Sequence, residues 1–303
     1  MISLYCNTNG FSNYLLSSLI PKGNSLESFL HSLENNSSLL SWKDNTSTIL
    51  HTLKKEGYAV LSTKIPKNIC EQLKSFAESS PCLPSGDGQN DKSLKIYNPK
   101  EPKAPTYKFR EEDLVENELI QKLAADANLL KVVTLYLNRL PILDLIAMWW
   151  STAFQREADH NSAQLYHFDM DRLRWLKVFF YLTDVDSETG AHCYIARSHR
   201  PGQKPREIRK RGYSRIPDSD LKRYYPLENF KEITGEAGTI IIGDTMAYHK
   251  GKPLAKGQRL ILEFEYANSL FGAPTQRIEI KKPTHEFSTL KANHQNFFNK
   301  FYF

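Results

Sequence analysis

The 303-residue chain is poor in several features that would place it in a large class at once. It carries four cysteines, Cys6, Cys70, Cys82 and Cys193, with no C-x-x-C pair. That is no framework for a disulfide-rich secreted scaffold, and it predicts reduced thiols in a cytoplasmic protein. Long hydrophobic runs are missing too. The longest apolar stretch, 140–150, is interrupted by Asp144 and is too short to span a bilayer, so no membrane association is expected. The N-terminus lacks the basic segment, apolar core and small-residue cleavage site of a secretory signal. Charge of one sign is not in large excess: 40 basic against 34 acidic residues leave a net charge of +6. Such a balance suits anionic partners without demanding nucleic acid, and no nucleic-acid-binding motif is present. No internal repeat is evident.

What is present is an ordinary globular mixture, 40% hydrophobic and 12% aromatic, enough to bury a sizeable core. Residues 1–50 are rich in Ser and Asn, with weak periodicity, and are expected to form a loosely packed polar extension. Residues 46–56 read as a helix ended by Gly57, followed by a strand from Tyr58. Pro66 opens a second helix with Ile69, Cys70, Leu73 and Phe76 at helical spacing. Residues 80–105 read as a loop, and 111–139 as a helix pair. From 140 onward the pattern turns to short β-rich runs, at 144–151, 164–168, 176–182, 193–196, 239–242 and 259–266. The expectation is an α+β, mainly β architecture: helices 51–140 packed on a jelly-roll core at 141–270, in one domain over 51–283. The aromatic tail at 284–303, with Phe297, Phe298, Phe301, Tyr302 and Phe303, is too apolar to float free; it should cover the body or a second subunit. The oligomeric state is left open.

The chemistry is carried by two distant fragments. One is Tyr166, His167, Phe168 and Asp169; the other runs from Gly243 and Asp244 to His249, with Arg259 ten positions later. Side chains two apart on a strand share a face, so His167 and Asp169 can reach one ion. Two imidazoles and one carboxylate form the facial triad of non-haem Fe(II) oxygenases, although the donor types also suit Mn(II) or Zn(II). An H-x-D alone is a weak signal whose commonest meaning is an exposed turn. Arg259 opens a strand whose even positions, Leu260, Leu262, Phe264 and Tyr266, form an apolar face, which turns the arginine the other way.

Taken with Lys55, Glu56, Gly57, Tyr58, Ala59, Val60 and Leu61, with Gln164, with Tyr181 to Asp186 leading to Gly190, and with Ser198 and His199, this pattern resembles the phytanoyl-CoA dioxygenase-like branch of the Fe(II)/2-oxoglutarate-dependent oxygenases. The resemblance covers most of residues 52–268. It implies a double-stranded β-helix of cupin-like jelly-roll type. It also implies Fe(II) held by His167, Asp169 and His249, 2-oxoglutarate as co-substrate with its distal carboxylate on Arg259, and O2 as oxidant. The planar, permanently charged guanidinium suits that carboxylate. Relatives that halogenate replace the carboxylate ligand with a small residue; Asp169 is present, which points to hydroxylation of a C–H bond in a small molecule such as a natural product, amino acid, sugar or lipid-like compound. Asp171, on the same strand face as Asp169, is the alternative ligand, and the family spacing favours Asp169.

Lys177 lies on an aromatic strand face and needs an anionic partner there, 2-oxoglutarate or a substrate carboxylate or phosphate; the alternative is that this face meets solvent at the barrel end. Gln164 is a second candidate for contact with the co-substrate. Arg206, Arg209 and Arg211 belong to a basic stretch, with Lys204, Lys210 and Arg215, that reads either as a solvated loop or as a lid for an anionic substrate. His160 reads as a loop histidine, His192 as a residue of the pocket mouth or the core, and His199 as part of a hydrogen-bonded corner. Two rival functions remain: a non-catalytic metal- or ligand-binding β-helix protein, and a cupin-type enzyme using another metal.

Overall fold

A computed structural model describes residues 1–20, 26–34, 38–86, 88–155, 157–272 and 275–303. The helices are α1 (Ile2–Thr8), α2 (Phe11–Leu19), α3 (Leu26–Leu33), α4 (Thr46–Glu56), α5 (Lys67–Ser79), α6 (Glu111–Leu114), α7 (Glu118–Ala124), α8 (Ala127–Leu137), α9 (Arg206–Arg209), α10 (Asp218–Leu221) and α11 (His285–Asn293). The strands are β1 (Tyr58–Lys64), β2 (Pro81–Ser85), β3 (Lys95–Ile96), β4 (Thr106–Lys108), β5 (Ile142–Thr152), β6 (Trp175–Tyr181), β7 (His192–Ile195), β8 (Phe230–Ile233), β9 (Thr239–Gly243), β10 (His249–Gly251), β11 (Gln258–Ala267), β12 (Ile278–Glu279) and β13 (Phe301–Tyr302). An eight-stranded sheet runs β1-β9-β6-β11-β5-β4-β2-β3, and a three-stranded sheet runs β10-β7-β8.

The large sheet is the middle layer. Strand alternation gives each central strand two buried faces. Leu176, Val178 and Phe180 of β6 and Leu260, Leu262, Phe264 and Tyr266 of β11 join the helices in the main core. Phe179, Tyr181 and Ile261 face the other way, onto Tyr194 and Ile233 of the small sheet. The site lies between the sheets at that second face. This is the expected jelly-roll arrangement with helices on one side; the sheet does not close into a barrel. No helix among the described residues is long and apolar enough to cross a membrane.

Local signals work where they are strong. Asn45 caps α4 by accepting the Thr48 N–H at 3.1 Å. Gly57 ends that helix at φ 89°, and a Cβ there would sit 2.6 Å from His199 Nδ1, so both backbone and packing require glycine. Residues 164–168 form two isolated bridges rather than a strand, Tyr166 with Ile216 and His167 with His249.

The N-terminal segment differs from the expectation. Its described residues form three helices and are packed: Tyr5 stacks on Phe168 with ring centroids 5.3 Å apart, and Phe29 and Leu33 are buried in the main core. Short helices joined by Ser and Asn leave little periodicity to read. Residues 21–25 and 35–37 of that extension lie outside the described residues. The C-terminal tail packs on the body: Phe297, Phe298 and Phe301 are buried, and β13 pairs with β12 in parallel. Lys300 donates to Glu111 at 2.7 Å and to the Asp144 carbonyl at 2.6 Å, which fastens the tail beside β5.

Candidate active site

His167 and His249 face each other because their backbones exchange hydrogen bonds, His167 N–H to His249 O at 3.0 Å and the reverse at 2.8 Å. Asp169 is fixed one step on by its N–H to Thr245 O at 2.8 Å. The side chains converge. His167 Nε2 is 3.6 Å from Asp169 Oδ1, His249 Nε2 is 3.5 Å from Oδ2, and one donor atom from each residue lies within 4.8 Å of the others. Both Nδ1 atoms are 3.0 Å from carbonyl oxygens, of Leu165 and Ala247. A carbonyl only accepts, so each Nδ1 carries the proton and each Nε2 presents its lone pair to the centre of the triad.

The electrostatics agree with the geometry. Burial, reinforced by His249, holds the His167 imidazole well below its usual pKa; burial also lowers His249. For Asp169 burial works to raise the carboxyl, but Lys177, His249 and His167 outweigh it and hold it ionised. Two neutral imidazoles and one carboxylate are the protonation states a divalent cation needs. Asp171 is half exposed and stands 3.7 Å from Lys177, outside this cluster.

Arg259 is buried at the start of β11. Its Nη2 donates to Ser151 Oγ at 3.1 Å, and its Nε and Nη1 are buried without a partner. Gly251 makes room for it: a Cβ there would lie 3.2 Å from Nη2. Burial lowers its pKa, and no carboxylate among the described residues pairs with it. A buried guanidinium with two idle nitrogens fits a small dicarboxylate such as 2-oxoglutarate.

A pocket of about 390 Å³ joins the triad to Arg259. Phe109, Met148, Trp149 and Phe179 supply apolar walls, and His192, Tyr213, Arg215, Lys108 and Glu263 supply polar ones. His192 stacks on His249 at 5.8 Å with its rings nearly parallel, and its Nε2 is buried without a partner. His199 is a core residue. Its neighbour Ser198 forms the expected corner, accepting Tyr248 N–H at 2.8 Å and donating to Ile195 O at 2.7 Å.

The remaining expectations are corrected. Lys177 does find anionic partners, but they are the protein's own: Asp169 at 2.9 Å, Glu265 at 3.2 Å, Glu263 at 3.3 Å and Asp171 at 3.7 Å. Gln164 turns away from the pocket and accepts Asp159 N–H at 2.8 Å, bracing the preceding loop. Arg206, Arg209 and Arg211 do not line the pocket. Arg206 and Arg209 flank a surface groove beside α1, where Arg209 donates to the Cys6 carbonyl; Arg211 pairs with Asp220 at 2.5 Å. From the same basic stretch it is Arg215, with Tyr213, that reaches the site. The signal that could have found Glu263 is its odd position on β11, the face it shares with Arg259.

The family profile for phytanoyl-CoA dioxygenase (PhyH) matches residues 53–259. This chain belongs to the phytanoyl-CoA dioxygenase family. It is therefore an Fe(II)- and 2-oxoglutarate-dependent oxygenase, with a His-Asp-His cluster of the required kind. Solved structures share the fold. HygX from Streptomyces hygroscopicus, with nickel and 2-oxoglutarate bound, is 18% identical with a TM-score of 0.54, over 80% of this chain and 94% of that one. The epimerase SnoN, in complex with Fe3+, alpha ketoglutarate and nogalamycin RO, is 12% identical with a TM-score of 0.55, over 80% of this chain and 97% of that one. No curated protein matches the sequence.

Proposed function

We propose that this family member hydroxylates an unactivated C–H bond of a small-molecule substrate, with His167, Asp169 and His249 holding the iron and Arg259 holding 2-oxoglutarate. The observation that carries the reading is the pairing of a preformed donor triad with a buried guanidinium that has two idle nitrogens and no carboxylate partner among the described residues, in one pocket. Bound iron supplies the oxidising chemistry, by which O2 and 2-oxoglutarate yield succinate, carbon dioxide and an oxidised substrate. The protein's own part is binding and exclusion. The two Nδ1–H groups hold the imidazoles in the ligating tautomer. Lys177 grips Asp169, and the aromatic walls keep bulk water from the reacting centre. The domain of this reading spans 51–283. Four buried free thiols support a reducing, cytoplasmic setting.

HygX has been solved with hygromycin B and SnoN with nogalamycin RO, at low identity; a natural-product-sized substrate is the corresponding choice here. The test is succinate release from 2-oxoglutarate with Fe(II) and ascorbate across candidate small molecules, with labelled O2. Hydroxylation places one labelled oxygen in the product. An unlabelled, isomerised product would replace hydroxylation by the epimerase outcome named for SnoN. Absence of succinate, together with full iron binding by His167→Ala, would sink both the enzyme and the triad.

A further inference from the structure

We propose that Arg215 is a specificity-determining residue that anchors an anionic group of the primary substrate, a carboxylate or phosphate, directly beside the metal triad. The inference rests on the oxygenase reading of that triad.

The backbone register is the first observation. Tyr166 and Ile216 exchange both hydrogen bonds, at 3.1 and 2.8 Å, as an antiparallel pair. Residues opposite each other in such a ladder share a face, so the next pair places Arg215 across from His167. His167 is in turn bridged to His249. Arg215, His167 and His249 thus form one row, and all three line the pocket.

The second observation is that this guanidinium lacks a counter-charge. Arg215 Nη1 is buried without a hydrogen-bond partner, and no carboxylate among the described residues forms an ion pair with it. Its neighbours in the basic stretch are satisfied: Arg211 by Asp220, and Arg209 by the carbonyls of Cys6 and Lys204. Arg215 instead leans over the Tyr213 ring at 5.7 Å. A second cation, Lys108 of β4, lines the same pocket. Burial, and then the Arg215 guanidinium, lower its pKa, while Asp159 and Glu263 act in the opposite sense. Ser162 Oγ, also on the pocket wall, is buried without a partner.

Two cations and an idle hydroxyl around one cavity favour an anion, because a neutral ligand could accept from Arg215 Nη1 but would leave the guanidinium charge uncompensated. The co-substrate does not fill this role on the present geometry. Arg259 approaches from β11, set by Ser151 and Gly251, whereas Arg215 approaches from the segment paired with Tyr166. The pocket therefore has one guanidinium for each of two carboxylate-like groups.

The experiment uses the full chain loaded with Ni(II) and saturating 2-oxoglutarate, titrated calorimetrically with inorganic phosphate, benzoate and the neutral isostere benzamide. At least one anion is expected to bind the loaded protein, and benzamide at least about tenfold more weakly than benzoate if the carboxylate is preferred. Arg215→Gln should weaken the favoured anion by about tenfold or more and Arg215→Lys by less, with 2-oxoglutarate affinity within about twofold of wild type. Lys108→Met, at the exposed end of β4, should weaken the same anion a few-fold, which keeps the test valid if Arg215→Gln folds poorly. Phosphate binding without benzoate binding would assign a phosphorylated substrate, and the converse a carboxylated one. Three results overturn the proposal: neither anion binds, Arg215→Gln leaves anion binding unchanged, or it weakens 2-oxoglutarate as much as the anion. Failure of wild type to bind Ni(II) and 2-oxoglutarate at all would instead overturn the oxygenase reading of the site.

Discussion

Two buried cations stand on the same face of adjacent central strands, and their company could hardly differ more. Lys177 on β6 is within 4 Å of four carboxylates, and Glu265 is its direct cross-strand partner. Arg259 on β11 has one hydroxyl and no carboxylate, with two nitrogens idle. Both are buried, where an uncompensated charge is costly. The lysine is compensated by the fold itself, so it belongs to the scaffold and steadies Asp169. The arginine is compensated only when something binds, so it belongs to a receptor. An interior charge is thus read by its partners rather than by its type.

The comparison breaks first at Lys177. Lys177→Met should destabilise the protein by about 3–5 kcal/mol, because Glu263, Glu265 and Asp169 lose their shared cation. Urea unfolding within about 1 kcal/mol of wild type would show that the cluster neutralises itself by protonation instead. The same variant should bind Ni(II) about tenfold more weakly, since Asp169 loses its orienting partner. Arg259→Gln should behave in the opposite way. It should weaken 2-oxoglutarate by about a hundredfold or more, equivalent to about 3 kcal/mol, with little change in urea stability. A large loss of stability would place Arg259 in the scaffold as well.

Smaller effects sharpen the contrast. Adding Glu263→Gln to Lys177→Met should recover about 1 kcal/mol of the lost stability, because one of the stranded acids is removed. Ser151→Ala should raise the apparent KM for 2-oxoglutarate by about fivefold, as expected for one hydrogen bond that positions the guanidinium. The last case is a third buried cation, Lys204, which sits among Tyr5, Phe168 and Tyr248 and donates to the carbonyls of Ser198 and Met246 at 2.6 Å. Burial lowers its pKa to about 7, with Asp244 and Cys6 working the other way. The unfolded chain then binds the extra proton between pH 7 and about 10.4, so this group favours folding more strongly as the pH rises through that window. The stability of wild type relative to Lys204→Met should therefore increase from pH 7 to pH 10; a flat difference would mean that the amine stays charged.

Much of the fold was legible because strand alternation and helix caps are local. The apolar even positions of β11, the Asn45 cap and Gly57 each state their role within a few residues. The triad was legible because His167 and Asp169 sit two apart, and because His249 and Arg259 recur at a spacing that resembles the family. The N-terminal helices were not, since their burial depends on Phe168 and on α8, far along the chain. Neither was the right arginine of the basic stretch. Arg206, Arg209, Arg211 and Arg215 look alike in sequence, and only the Tyr166–Ile216 bridge turns Arg215 toward the metal site.

The amino-acid sequence by itself determined the central helices and strands, the donor types and the family resemblance, because backbone preferences and side-chain chemistry act over short distances. Only the tertiary structure decided which charges are matched. Lys177 meets Glu263 and Glu265, Arg211 meets Asp220, and Arg259 and Arg215 meet no carboxylate among the described residues. Pairing of the sheet charges is set by which strands lie side by side and in what register, and a shift of β11 by one residue would send Arg259, Glu263 and Glu265 to the face away from Lys177.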